Sequence, residues 1–210
     1  MHKLERGPAP ACLSLYRHGR HNWKDLTTED RQQIWEKIDA MQQGRCAYCE
    51  EALHYDKRHL EHFRQKGRDP RVTFLWSNLF GSCNRTESCG KHKDGLGVYQ
   101  AADLIKPDEE DPEHFFVFVS DGSVAVRAGL TALDTRRAHE TIRIFNLNGV
   151  LRAIRHSAIA SYIDQGLEVM QMVASGELTH DECLELYKEE LAAINNQPFS
   201  TAIRHTLMPI

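Results

Sequence analysis

The stretch Cys46–Asp94, CAYCEEALHYDKRHLEHFRQKGRDPRVTFLWSNLFGSCNRTESCGKHKD, decides how this 210-residue chain is read. Cys46-x2-Cys49 places two thiolates on one tight turn, close enough to grip a single tetrahedral ion. After 33 intervening residues, Cys83-x5-Cys89 supplies a second pair, and four sulfurs close a structural zinc site. The second pair is looser than the common spacing of about two to four, so His92 or His54 could replace one of its sulfurs.

Between the pairs lies HLEHFRQK, a short apolar-flanked run that suits a β-strand. On a regular strand Glu61 and His62 point to opposite faces, so joint action requires a bend, a bulge or a shared edge. A neutral imidazole takes a proton from water near neutral pH, and a carboxylate beside it can ligate a hard cation such as Mg2+. His62 is therefore the candidate general base. Together with Asn78 downstream, these are the parts of a metal-dependent phosphodiesterase: one metal holds the fold, a second holds the scissile phosphate. The net charge of −4 gives no global pull toward nucleic acid. Locally the balance reverses, because Lys57, Arg58, Arg64, Lys66, Arg68 and Arg71 face only Glu61 and Asp69 over that interval. Arg64, Lys66 and Arg68 are the expected backbone phosphate contacts, salt-sensitive and blind to sequence.

Composition sets the outer bounds. A hydrophobic fraction of 41% suffices for a core, and no run of 18 apolar residues occurs. The start, MHKLERGPAPACL, lacks the features of a signal peptide, so a cytoplasmic protein with no membrane role is expected. Six cysteines are too few for a disulfide scaffold; Cys12 and Cys183 read as buried thiols.

Around the motif, residues 1–24 read as an extended arm packed by Leu13, Leu15, Tyr16 and Trp23. Thr27 and Asp30 have capping-box spacing, Ile34, Ile38 and Met41 share one helical face, and Gly44 stands at the C-terminal cap, so a helix feeds into Cys46. The alternation on either side of Asp121-Gly122 predicts a β-hairpin over 115–127. Helices are expected over 134–145, 151–174 and 179–194, the last opened by a Thr179–Glu182 capping box, and a short one after Pro198. Ile154, Ala158, Tyr162 and Ile163, like Leu184, Tyr187, Leu191 and Ile194, form stripes for core or partner packing. The expected fold class is α+β, with a zinc-clamped core at 46–96, an arm and helix at 1–45, linker and hairpin at 97–132 and a helical bundle at 133–210, all one compact unit.

The order C-x2-C, E-H, N-L, C…C with a trailing K-D resembles the HNH (ββα-metal) endonucleases. More narrowly, HLEHFRQKG…FLWSNLFGSCNRTESCGKHKD, with WEKIDAMQQGRCAYCE before it and ETIRIFNLNGVLRAIR after it, resembles PtuB, the HNH component of Septu anti-phage systems, a family also found beside retrons. The resemblance implies an endonuclease acting on nucleic acid, with DNA the expected substrate. It implies His62 as base, Glu61 as first ligand of a catalytic Mg2+ or Mn2+, and Asn78 as the residue that shapes the loop and orients the base. The chain departs from the pattern at Gly90, where cysteine-clamped HNH proteins usually carry Asn or His. His92 is the substitute proposed for the second ligand, with Asn84 and Asp94 behind it. The resemblance also implies an ABC/SMC-like ATPase partner, for which the helices beyond Asp134 offer a docking surface. Gly90 leaves open an alternative: a zinc-stabilised interaction module with a degenerate site.

Overall fold

A computed structural model describes residues 1–207 of the chain. Helix α1, Thr28–Gln42, begins at the Thr27–Asp30 capping box, in which each side chain accepts the other's backbone N–H, and buries Ile34, Ile38 and Met41. It stops where Gln43 and Gly44 turn left-handed, one residue earlier than a cap at Gly44 alone would place it. The backbone then folds into a tight loop, with Cys46 N–H donating to the Glu51 carbonyl and Glu50 N–H to the Cys46 carbonyl.

Strand β1, Arg58–His62, pairs antiparallel with β2, Leu79–Cys83, in unbroken register from Arg58 opposite Cys83 to His62 opposite Leu79. Helix α2, Cys89–Gly95, follows directly and packs on β2, completing a strand–strand–helix unit. The predicted hairpin is present as β3, Phe116–Phe118, and β4, Val124–Val126. Its turn needs Gly122 at φ +82°, and a Cβ there would also strike the backbone of Arg152 and His156 in the helix beneath.

Helices α3 (Ala132–Ile144), α4 (Val150–Ser175), α5 (His180–Ile194) and α6 (Ser200–Leu207) complete the described chain. Thr179 and Glu182 close the expected box on α5, and Gly176 at φ +79° ends α4. Helix α6 packs on α4, α5 and β3. One hydrophobic core joins the cysteine region to these helices, and the Tyr48 and Phe145 rings stack at 4.0 Å across that junction. A second cluster joins Cys12, Leu13 and Leu26 of the arm to Ile34, Ile38, Phe74 and Leu79. Two expectations fail at single residues. Leu15 of the arm is exposed because a short 3-10 turn over Ala11–Leu15 directs Cys12 and Leu13 inward instead. Leu184 is exposed because α5 presents Cys183, Tyr187 and Leu191 to the bundle. Among the described residues, no helix is long and apolar enough to cross a membrane.

Candidate functional site

The four cysteines of the clamp converge. All four Sγ atoms lie within 4.8 Å of one another and all are buried. Tetrahedral zinc with bonds of about 2.3 Å sets its sulfurs about 3.8 Å apart, so the cluster fits with small adjustment; Cys49 Sγ and Cys83 Sγ already stand 4.0 Å apart. The donor chemistry agrees. Burial opposes a thiolate at Cys46, but donation from the other three thiols outweighs it, while hydrogen bonding to Cys46 pushes Cys49 up and burial, then hydrogen bonding to Cys46, pushes Cys89 up, so the four sulfurs act as one group. The Cys83 N–H points at Cys46 Sγ at 3.5 Å, and Cys89 adopts a left-handed φ of 54° anchored by its N–H on the Phe145 carbonyl. The cluster is formed by the four cysteines alone, with neither His54 nor His92 in it.

His62 ends β1 on the face toward the N-terminal arm. Its Nε2 lies 3.1 Å from the Thr73 carbonyl oxygen, and because a carbonyl only accepts, Nε2 carries the proton and Nδ1 keeps the lone pair. The Trp23 ring meets the imidazole edge-on at 4.4 Å. Burial first, and the nearby Lys66 charge second, lower its pKa to about 4, so the ring is neutral at pH 7. An anionic phosphate brought beside it would raise that value toward the working range. Asn78 is buried below. It accepts from Arg64 N–H at 2.8 Å and donates to the carbonyls of Arg64 at 3.0 Å and Val72 at 3.3 Å, thereby fixing the loop that presents Thr73. Asn78 thus holds the loop that carries Thr73 and has no hydrogen bond of its own to His62, which donates to the Thr73 carbonyl instead.

Glu61 faces the other way. With no bulge in the ladder, its side chain points toward α2 with that of His59, whose Nε2 stands 3.1 Å from Glu61 Oε2. Lys93 Nζ approaches Glu61 Oε1 to 2.7 Å; the contact is an ion pair off the ideal hydrogen-bond direction, since that oxygen has no well-aligned donor. Burial pulls the Lys93 pKa down, but Glu61, Tyr99 and Asp94 together outweigh it and hold the ammonium above its ordinary value. His92 does not join them. It lies on another side of α2, with Nδ1 2.9 Å from the Ile144 carbonyl. Asn84 donates to the Arg58 carbonyl, and Asp94 binds Lys93. The structure therefore does not bring Glu61 and His92 around a shared Mg2+ or Mn2+, and the groups beside Glu61 do not fit one: a cation is already paired with it, and Gly90 has no ligand to offer.

Beside His62 opens a cleft of about 740 Å³ between the arm and the loop after β1, walled by residues 18–25 with Lys66, Gly67, Pro70 and Thr73. Arg20, Lys24 and Lys66 give it positive charge against a single acid, Asp25. Of the three expected phosphate contacts, only Lys66 lies here. Arg64 stands 3.7 Å from Asp69 and lines a separate hollow, and Arg68 bonds Gln65. Reading the sequence gave Lys93 no role beyond its place in the trailing K-D, and did not bring the arm residues to the site. Lys93 had a faint signal, three residues beyond Gly90 and thus on the same helical face. The arm had none, because its approach to His62 spans about 40 residues of chain.

No family model matches the chain. Over 122 residues it is 26% identical to a protein of Vibrio cholerae serotype O1 biovar El Tor, described as a candidate HNH endonuclease of retron Vc95; the match covers 55% of this chain and 57% of that protein. The chain thus spans little more than half the length of the curated relative it matches. The likeness is to an HNH-type nuclease of a retron.

Proposed function

We propose that this chain is an HNH-type endonuclease that hydrolyses phosphodiester bonds of nucleic acid, DNA in the first instance, as the effector of an anti-phage defence system. The observation that carries the reading is the His62 arrangement: a neutral imidazole, its Nε2 proton committed to the Thr73 carbonyl, beside a basic cleft. In the proposed reaction Nδ1 takes a proton from water as the oxygen attacks phosphorus, the P–O3′ bond breaks, and the departing 3′ oxygen takes a proton from solvent. Lys66, Arg20 and Lys24 offset the charge that develops on the phosphoryl oxygens. Zinc at the four cysteines holds the strand–strand–helix unit in shape and takes no part in the chemistry.

The test is plasmid cleavage by the purified chain beside His62→Ala. General-base help is worth about 10² to 10⁴ in rate, so the variant loses at least that order while still folding with a cooperative melt, lowered by the loss of the His62–Thr73 hydrogen bond and of ring packing on Trp23. Undiminished cutting by the variant removes His62 from the mechanism. We propose further that an ABC/SMC-like ATPase partner docks on the C-terminal helices, where Leu167 and Met170 of α4 and Leu184 and Leu186 of α5 are exposed. The assay is therefore run with and without that partner. A second reading, an interaction module with an inactive site, is favoured by the pairing of Glu61 with Lys93; it requires that no cutting appear even when the partner is present.

A further inference from the structure

The carboxylate that the sequence offers as a metal ligand already has a cation of the chain's own. Three oxygens surround Lys93 Nζ: Glu61 Oε1 at 2.7 Å, Asp94 Oδ1 at 2.7 Å and the His62 carbonyl at 2.9 Å. The Lys93 side chain is 0% exposed and that of Glu61 1%. Helix α2 brings the ammonium in from one side, while on the other the His59 imidazole occupies Glu61 Oε2. Gly90 explains how the carboxylate comes so close to the helix. A Cβ at position 90 would collide with the Glu61 carboxyl group and lie 3.0 Å from His59 Nε2. The position where an HNH ligand is expected therefore supplies room, and Lys93, one helical turn on, supplies the charge.

We infer that Lys93 is the resident cation of Glu61, standing where a catalytic divalent ion would have to sit, so that the Glu61 side of β1 binds no such ion. This rests on the nuclease reading only in naming the ion that is replaced. Mg2+ demands about six oxygen-type ligands in near-octahedral array. Here Lys93 Nζ already fills the space between Glu61 Oε1 and Asp94 Oδ1, the His59 imidazole stands against Oε2, and a divalent ion would meet a buried like charge. Lys93 acts as a positioning residue: through the His62 carbonyl it ties α2 to the backbone of the proposed base.

The test uses the zinc-loaded full chain and Mn2+ as probe, followed by electron paramagnetic resonance, in wild type, Glu61→Gln, Lys93→Met and the double variant. Wild type and Glu61→Gln should give the same Mn2+ isotherm. Lys93→Met should gain a site at least about tenfold tighter, lost again in the double variant, because Glu61 is then free to ligate. A wild-type Mn2+ site that Glu61→Gln abolishes overturns the inference, as does a folded Lys93→Met chain that gains nothing. Should Lys93→Met fail to fold, the comparison of wild type with Glu61→Gln decides alone. None of these readouts involves cutting, so failure of the nuclease reading in the plasmid assay is seen separately.

Discussion

His62 is neutral because it is buried beside Lys66, and this has a consequence for rate. A histidine with its ordinary pKa of 6.5 would be mostly protonated at about pH 5.5 and would lose about tenfold in base-limited rate between pH 7.5 and 5.5. With the pKa lowered to about 4, protonation comes only as pH falls well below that interval. The kcat/KM for cleavage, which titrates the free enzyme, should therefore stay level over it, and an inflection near 6.5 would show that the imidazole is solvated. At Gly90 the expectation concerns stability. Gly90→Ala forces a methyl group against a buried carboxylate and should cost about 1–3 kcal/mol in urea unfolding. Gly95→Ala, with nothing within 4 Å of its Cβ at the far end of the same helix, is the control and should be neutral or slightly stabilising.

At the scale of elements, the zinc clamp and the loop after β1 act in sequence. The clamp joins the turn after α1, the end of β2 and the start of α2, elements also tied by Gln42, which bonds both backbone groups of Gly81, by the Ala47 N–H on the Gly81 carbonyl and by the Gly90 N–H on Ser82 Oγ. Removing zinc by chelation, or by Cys46→Ser, should dissolve this unit, read as released zinc and loss of the cooperative melt, since structural zinc contributes folding energy directly. The loop depends on Asn78 instead. Asn78→Ala leaves the Arg64 N–H and the Arg64 carbonyl without their partner, at about 1–3 kcal/mol, and should lower the cleavage rate by releasing the Thr73 carbonyl that holds His62. Unchanged cutting by a destabilised Asn78→Ala would show that the loop does not position His62.

Over the whole molecule the net charge is −4, yet the cleft beside His62 carries three basic side chains against one acid. If nucleic acid lies there, Arg20→Ala and Lys24→Ala should each weaken oligonucleotide binding without changing sequence preference. Each should also lower the slope of log affinity against log salt by about 1, measured by fluorescence anisotropy. Lys188→Ala on α5, remote from the cleft, should leave the slope alone. An unchanged slope in the cleft variants would place the substrate elsewhere.

What was legible in the sequence was the part written in local spacing. The paired cysteines named their cluster, the capping boxes at Thr27 and Thr179 named the starts of α1 and α5, and Asp121-Gly122 named the hairpin, because each depends on residues a few positions apart. The joint action of Glu61 and His62 on one cation, which needed a bend or bulge, is not found: the unbroken β1–β2 ladder keeps the two on opposite faces, as the two-residue period of a strand dictates. Only the tertiary structure decided what each then meets: Lys93 from α2 for one, Thr73 and Trp23 for the other. Those encounters come from packing across 11 to 39 residues of chain, where no periodicity reaches. A carboxylate's partner is chosen by whichever charge the fold buries beside it.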